Sequence, residues 1–259
     1  MRIEVYPYLL KIAETEAEIK SAQHLRYKVF VEEMGAMAVD QSGSDRFETD
    51  DFDRLCKHII LIDQRQLNSI EQVVGVYRVM TNSEALLGAG FYSNTEFDLS
   101  RLEGSKKRLL ELGRSCIHKA HRGGTALRLL WMGLAQHIAR NQTQILFGPT
   151  SFPGIDPDKI ENCLSYLHHY HAAPYHLRAR ARSDSFVKMN RIPKQHVDRR
   201  LAVSQLPPLL KAYLRLGAKV GAGAWLDRSF NTIDVCVVLD VDRMPPSQKM
   251  RFSENMLLQ

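Results

Sequence analysis

The stretch Arg108-Leu-Leu-Glu-Leu-Gly-Arg-Ser-Cys-Ile-His118, followed by His121-Arg-Gly-Gly-Thr-Ala126, decides how this chain folds. The first part is largely apolar and free of proline, and it reads as a β-strand. The Gly123-Gly124 pair then makes a turn. Beyond it Leu127, Leu130, Trp131, Leu134 and Ile138 recur at i, i+3, i+4, i+7 and i+11, the single apolar stripe of an amphipathic helix. Gln144 to Phe152 follows as a short strand running into Ser151-Phe-Pro-Gly154. Strand, glycine turn, helix and strand together make a βαβ unit.

Toward the N-terminus, Thr15-Glu-Ala-Glu18 has the spacing of a capping box opening a helix, with Ile19, Ala22, Leu25, Val29 and Phe30 on its apolar face. An apolar segment, Ile3 to Leu10, precedes it. Two β-rich runs, Lys57 to Asp63 and Gln72 to Thr81, flank a polar connection and predict a hairpin. Toward the C-terminus, helices are expected over Pro157 to His171 and over Pro208 to Leu216, the latter stopping at Gly217. A strand rich in Val and Ile spans Asn231 to Asp240. The sum is an α/β (α+β) fold with a mixed central sheet flanked by helices. A single domain over 1–259 is expected, with an elaborated C-terminal part and a basic loop or insertion at about 172–205.

The chain has 259 residues, 44% of them apolar and 25% charged, which fits a folded soluble protein and excludes disordered, collagenous and membrane-bundle classes. Cys56, Cys116, Cys163 and Cys236 form no Cys-x-x-Cys pair, so neither a structural zinc site nor a disulfide framework is indicated. Met1 to Glu18 lacks the long apolar stretch of a signal peptide or membrane span. A cytoplasmic protein with reduced thiols is therefore expected.

The formal net charge is +6, but its distribution says more. Glu32, Glu33, Asp40, Asp45, Glu48, Asp50, Asp51 and Asp53 crowd one segment against a single base, Arg46, whereas Arg178 to Arg200 holds eight bases against Asp184 and Asp198. A basic face steers polyanions: nucleic acid, anionic lipid headgroups or an acidic protein. A solvated loop has the same composition. Only Phe186 offers an aromatic ring for stacking there, so nucleic acid ranks last and no nucleic-acid partner is expected.

Several features carry chemistry. Backbone N–H groups at a glycine turn opening a helix bind phosphate or pyrophosphate, although a plain structural turn reads the same way. In an unbroken strand Glu111 and Arg114 point to opposite faces, and a bulge at Gly113 would bring them to one site and leave an N–H for a carbonyl oxygen. Arg26-Tyr-Lys-Val-Phe30, Asp50-Asp-Phe-Asp53 and Gly75-Val-Tyr-Arg78 each read in isolation as solvated charge. His168 and His171 share a helix face, but no nearby acid completes a ligand set, and no metal is expected.

Taken together, Arg26-x-x-x-Phe30, Asp50-x-x-Asp53, Gly-x-Tyr-Arg78 and Glu111-x-x-Arg114 resemble the acyl-carrier-protein-dependent branch of the acetyltransferase-like (GNAT) fold shared by acyl-homoserine-lactone synthases and ornithine-lipid N-acyltransferases. The turn His121-x-x-Gly124-x-Ala126 is similar to that fold's pantetheine-phosphate motif, with His where Gln or Arg is usual. Leu130-Trp-Met-Gly-Leu134, Ser151-Phe-Pro-Gly-Ile-Asp-Pro157, Leu164-Ser-Tyr-Leu-His-His-Tyr-His171, Leu209 to Ala218 and Asp227-x-x-Phe230 resemble the ornithine-lipid branch. The lactone synthases are shorter and usually carry a Trp where this chain has Met34 to Met37.

The resemblance implies a GNAT-like acyl-CoA N-acyltransferase fold. It implies transfer of a 3-hydroxyacyl group from acyl carrier protein to the α-amine of L-ornithine, giving lyso-ornithine lipid. Glu111 would be the base, with Gly113 and Arg114 beside it. Arg26, Phe30, Asp50, Asp53 and Arg78 would bind the amino acid, Asp50 and Asp53 meeting an amine and Arg26 or Arg78 the carboxylate. His121, Arg122, Gly123, Gly124, Thr125 and Ala126 would hold the phosphopantetheine. Cys116 need not be a nucleophile, and Tyr166 or Tyr170 could protonate the thiolate. No bound cofactor is implied beyond the acyl-ACP donor. The basic segment would dock the carrier or an anionic membrane surface at the periphery of the cytoplasmic membrane's inner face. Two alternatives remain open: an N-acyltransferase using glutamine, lysine or glycine, and a non-catalytic module binding acyl carrier or membrane.

Overall fold

In the computed structural model, which describes residues 1–37 and 46–245, the predicted capping box is formed. Thr15 Oγ1 accepts from the Glu18 N–H and the Glu18 carboxylate accepts from the Thr15 N–H, both at 3.2 Å. In chain order the strands and helices are β1 (Arg2–Val5), β2 (Tyr8–Ile12), α1 (Glu16–Arg26), β3 (Lys57–Asp63), β4 (Val73–Thr81), α2 (Asn82–Ala85), β5 (Phe97–Asp98), α3 (Ser100–Gly104), β6 (Leu109–Ile117) and α4 (Thr125–Arg140). They continue with β7 (Ile145–Pro153), α5 (Glu161–Tyr170), β8 (Arg180–Ala181), β9 (Phe186–Val187), α6 (Arg199–Gln205), α7 (Pro208–Arg215), β10 (Lys219–Val220), β11 (Ala224–Asp227) and β12 (Thr232–Asp240). Among the described residues two compact units form: 1–88 with 112–142, and 89–111 with 143–245. The division falls within β6. Asp40 and Asp45 of the acidic segment lie outside the described residues.

In the first unit β1 to β4 form the expected antiparallel meander, with Leu10 opposite Leu61 and Ile60 opposite Val76. The 112–117 part of β6 follows beside β4. Alternation explains why Ile59 to Ile62 is apolar without interruption. Ile60, Ile62 and Val76 pack with Ala22, Leu25 and Val29 of the α1 side, while Ile59 and Leu61 face α4. Gly75 and Gly133 permit that second contact: a Cβ on Gly133 would stand 2.6 Å from Leu10, and one on Gly75 2.9 Å from Leu130. The α4 stripe is corrected at one place. Leu127 is exposed and Ala126, Leu129 and Leu130 are buried in the first turns, because the helix enters with Ala126 against the core. After Arg26 the helix widens into a π-helical stretch over Tyr27–Glu33, where Phe30 is half-buried against the α1 cluster.

In the second unit β7 and β12 pair antiparallel along their whole length, and Leu109 to Glu111 of β6 runs parallel to Ile145 to Phe147. Parallel and antiparallel pairs together make the sheet mixed, as expected. The basic segment, expected as a loop or insertion, is not wholly irregular. It carries β8, β9 and α6, and β9 pairs with β11 at the sheet edge. Buried Leu177, Ala179, Ala181, Val187, Met189 and Ala202 anchor it, interleaved with bases that hide the strand pattern. Helix α7 buries Leu210 and Tyr213 rather than presenting a free apolar face. Among the described residues no helix is long and apolar enough to cross a membrane.

Candidate active site

The first unit gathers the arginines and acids that the sequence leaves far apart. Arg26, at the end of α1, is fully buried; its Nε donates to Glu48 and its Nη1 to Asp53 at 2.6 Å. Arg78 on β4 donates through Nη1 to Asp50 at 2.5 Å and to Asp53 at 2.7 Å. Arg114 on β6 reaches Glu48 at 3.1 Å and Asp50 at 3.0 Å. Gln23 adds a bond to the second Asp53 oxygen at 2.9 Å. Three guanidinium groups and three carboxylates thus neutralise one another in charge-assisted bonds, the condition under which buried charge is tolerated.

Burial alone would raise the Asp53 carboxyl, but Arg26 and Arg78 outweigh it and hold it well below the usual carboxylate range. Arg26, Asp53 and Arg78 present almost no surface to solvent, and Asp50, with 19% of its side chain exposed, is the most open carboxylate of the network. Glu48 escaped the sequence reading. Its signal was present, one acid two residues before Asp50 in the same acidic segment, but nothing in the spacing distinguished it from its solvated neighbours.

Arg114 has φ +48°, a left-handed conformation uncommon for a side-chain-bearing residue. The backbone irregularity predicted at Gly113 therefore falls one residue later. It turns Arg114 into the Glu48 and Asp50 pair at a conformational cost of about 1–2 kcal/mol.

The glycine turn has the shape its sequence asks for. Gly123 has φ +111° and Gly124 φ +68°, and Gly124 stands as the N-cap of α4 without a side-chain cap. Among the described residues, no atom beyond the adjacent ones lies within 4 Å of a Cβ placed on either. Backbone N–H groups at such a terminus suit an anion. The side chains before it are engaged within their own unit. The Tyr8 hydroxyl and His121 Nδ1 are 3.0 Å apart, and Arg122 forks onto Glu33 at 2.5 and 2.7 Å. Thr125 is exposed and Ala126 buried. A cavity of about 340 Å³ lined by Lys28, Val29, Glu32, Glu33, His118 and Lys119 opens in the same unit. Burial, His121 and the surrounding cations Lys28, Lys119 and Arg122 push the His118 imidazole below its ordinary value.

Cys116 is buried and desolvation pushes its thiol up, which removes the thiolate a nucleophile needs.

In the second unit Glu111, buried on β6, accepts from the Tyr92 N–H at 3.0 Å and the Ser93 N–H at 2.6 Å, one on each oxygen. These donors open the 3₁₀ turn Tyr92–Thr95, so the carboxylate caps that turn and is fixed in orientation. Of the two tyrosines, the Tyr166 hydroxyl pairs with His171 Nε2 at 3.0 Å and Tyr170 donates to the Lys194 carbonyl at 3.3 Å. His169 Nε2 lies 3.0 Å from the Ile192 carbonyl.

Residues 25–132 match the family model of the acetyltransferase (GNAT) domain. The match agrees with the mixed sheet flanked by helices: the fold is GNAT-like. The chain is 44% identical to an L-ornithine N(alpha)-acyltransferase of Rhodobacter capsulatus, over 94% of this chain and 93% of the relative. It is 39% identical to a Brucella abortus protein of the same name, over 91% of this chain and 85% of that one. Among solved structures, FeeM, an N-acyl amino acid synthase from uncultured soil microbes, is 11% identical with a TM-score of 0.49, covering 92% of this chain and 93% of that one.

Proposed function

Because this chain belongs to the L-ornithine N(alpha)-acyltransferase family, we propose that it joins an acyl group to the α-amine of L-ornithine, taking the acyl group from the thioester of an acyl carrier protein. The observation that carries the reading is 44% identity running through 94% of the chain, so that both compact units have counterparts in the relative.

The chemistry follows from the groups available. An amino acid's α-amine is mostly protonated at neutral pH and must lose a proton before it attacks a thioester. Glu111 takes that proton, directly or through a water, its carboxylate oriented by the Tyr92 and Ser93 N–H groups. The oxygen of the tetrahedral intermediate is stabilised by backbone N–H groups of the irregular 112–114 segment. The phosphate of the pantetheine arm lies on the N–H groups of the Gly123-Gly124 turn, which leave room for it.

Attack is direct, without an acyl-enzyme on Cys116. The network of Arg26, Glu48, Asp50, Asp53, Arg78 and Arg114 fixes the wall against which the amino acid is held. Asp50, its most exposed carboxylate, meets a cationic amine of ornithine. With a 3-hydroxyacyl donor the product is lyso-ornithine lipid. Arg180, Arg182, Lys188, Lys194, Arg199 and Arg200 stand exposed along the basic segment and suit an acidic carrier protein.

The test is a mass-spectrometric endpoint assay of the purified chain. Donors are 3-hydroxyacyl carrier protein and the matching acyl-CoA; acceptors are ornithine, lysine, glutamine and glycine. An ornithine-dependent amide with release of the carrier thiol is expected. Preference for acyl-CoA removes the carrier assignment, and preference for another amine removes the acceptor assignment.

A further inference from the structure

We propose that Glu96, Asp227, Asp234 and Thr232 of the second unit form a binding site for one divalent metal cation of the hard, oxygen-seeking class. One carboxylate oxygen from each acid lies within 4.8 Å of the others. The three residues are only 3%, 7% and 4% exposed. Opposite ligands of a bound Ca²⁺ stand about 4.6–5.2 Å apart, so three oxygens at this spacing fit around a single ion. Carboxylate oxygens are the ligands that an ion of this class takes.

A second, independent feature points the same way. Thr232 is 2% exposed, and its Oγ1 has no hydrogen-bond partner among the described residues. In the β11–β12 ladder Thr232 is directly opposite Asp227 and Trp225 opposite Asp234. Side chains two apart on a strand share a face, so Asp227, Thr232 and Asp234 point to the same side of the sheet. A buried hydroxyl costs about 1–3 kcal/mol when left without a partner, and a metal ion accepts its lone pair.

The acids are pre-oriented. Asp227 Oδ1 takes the N–H groups of Ser229 at 2.7 Å and Phe230 at 3.0 Å, which fixes the carboxylate in the Asp227-x-x-Phe230 turn. Glu96 directly follows the 3₁₀ turn Tyr92–Thr95 whose N–H groups hold Glu111. A cation at this place ties that turn to β11 and β12, and so steadies the support of Glu111. The sequence offered no spacing for such a site, since Glu96 stands far from the other ligands along the chain.

The experiment uses the full chain, stripped with a chelator and titrated separately with Ca²⁺, Mg²⁺ and Mn²⁺ by calorimetry and thermal unfolding. One equivalent bound is expected, with Tm rising by about 5–10 °C at a hundredfold excess over Kd. Asp234→Asn should abolish uptake. Thr232→Val keeps every charge and should weaken uptake tenfold or more; it decides alone if Asp234→Asn fails to fold. Absence of uptake of all three ions overturns the proposal, as does uptake undiminished in both variants. A Tm rise given by ornithine but by no metal, and lost in Asp234→Asn, would make the cluster an ammonium site and likewise overturn the metal assignment.

Discussion

Arg26 and Arg114 bind opposite oxygens of one Glu48 carboxylate, Arg26 on Oε2 and Arg114 on Oε1. Glu48 is 4% exposed and Arg26 fully buried, so the bridge lies where water cannot replace it. Removing the carboxylate leaves buried guanidinium charge short of a partner. Glu48→Ala is expected to lower the unfolding free energy by about 3–5 kcal/mol. Asp51→Ala, exposed in the same segment, should change it by no more than about 0.5 kcal/mol. Urea denaturation of both variants checks this; equal losses would show that the bridge contributes nothing of its own.

Acid should weaken the fold in two stages. Burial, reinforced by Lys57, pushes His137 down to about 4. The unfolded chain, with an imidazole of ordinary value near 6.5, therefore binds more protons than the folded one between about pH 6.5 and 4. His137 thus contributes full stability above about pH 6.5 and loses about 3 kcal/mol as pH falls to 4. Asp53, depressed by Arg26 and Arg78, is lost only lower, below its ordinary carboxylate range. His137→Gln should flatten the upper stage in a pH series of urea midpoints and leave the lower one. A slope unchanged above pH 4 would assign the loss to other groups.

Glu111→Gln should lower turnover by about 10²–10⁴-fold if the carboxylate accepts the amine's proton. The glutamine retains one oxygen for the Tyr92 or Ser93 N–H, so the fold should persist, as circular dichroism would show. Raising pH should recover part of the lost rate, because more amine is then already deprotonated. A rate loss indifferent to pH would point to a purely structural Glu111.

At the glycine turn, Gly124→Ala meets no neighbour, so its effect is conformational: φ +68° disfavours a Cβ by about 1–2 kcal/mol. The expected kinetic signature is a KM for the thioester donor raised about tenfold while the ornithine KM stays unchanged. Gly104→Ala, also in open space but within a helix, should leave both constants alone. Equal rises in both KM values would remove the phosphate-binding role.

Cys116→Ala should retain turnover, since a thiol raised by desolvation cannot serve as the acyl acceptor. Trapping of an acyl group on Cys116 in the wild type by mass spectrometry would overturn direct attack.

Sequence by itself determined whatever depends on neighbours along the chain. The Thr15 to Glu18 box, the α4 period, the β3–β4 hairpin, the apolar strands and the glycine turn are local patterns of hydrogen bonding and burial, and each forms essentially where its residues specify. The order of the Arg, Asp and Glu motifs pointed to the family, because those residue types recur at set places. What only the tertiary structure decided is which charges meet. Asp50 and Asp53 look like solvated acids in the sequence, yet they become two of the three carboxylates of a neutral network once α1, β4 and β6 converge. The basic segment reads as a loop because its buried small residues alternate with arginines, and only pairing of β8 with β5 and of β9 with β11 reveals its strands. Glu96, Asp227 and Asp234 carry no common spacing at all. Coulomb energy and desolvation depend on distance through space, and distance through space between residues remote in sequence is fixed only when the sheet is built.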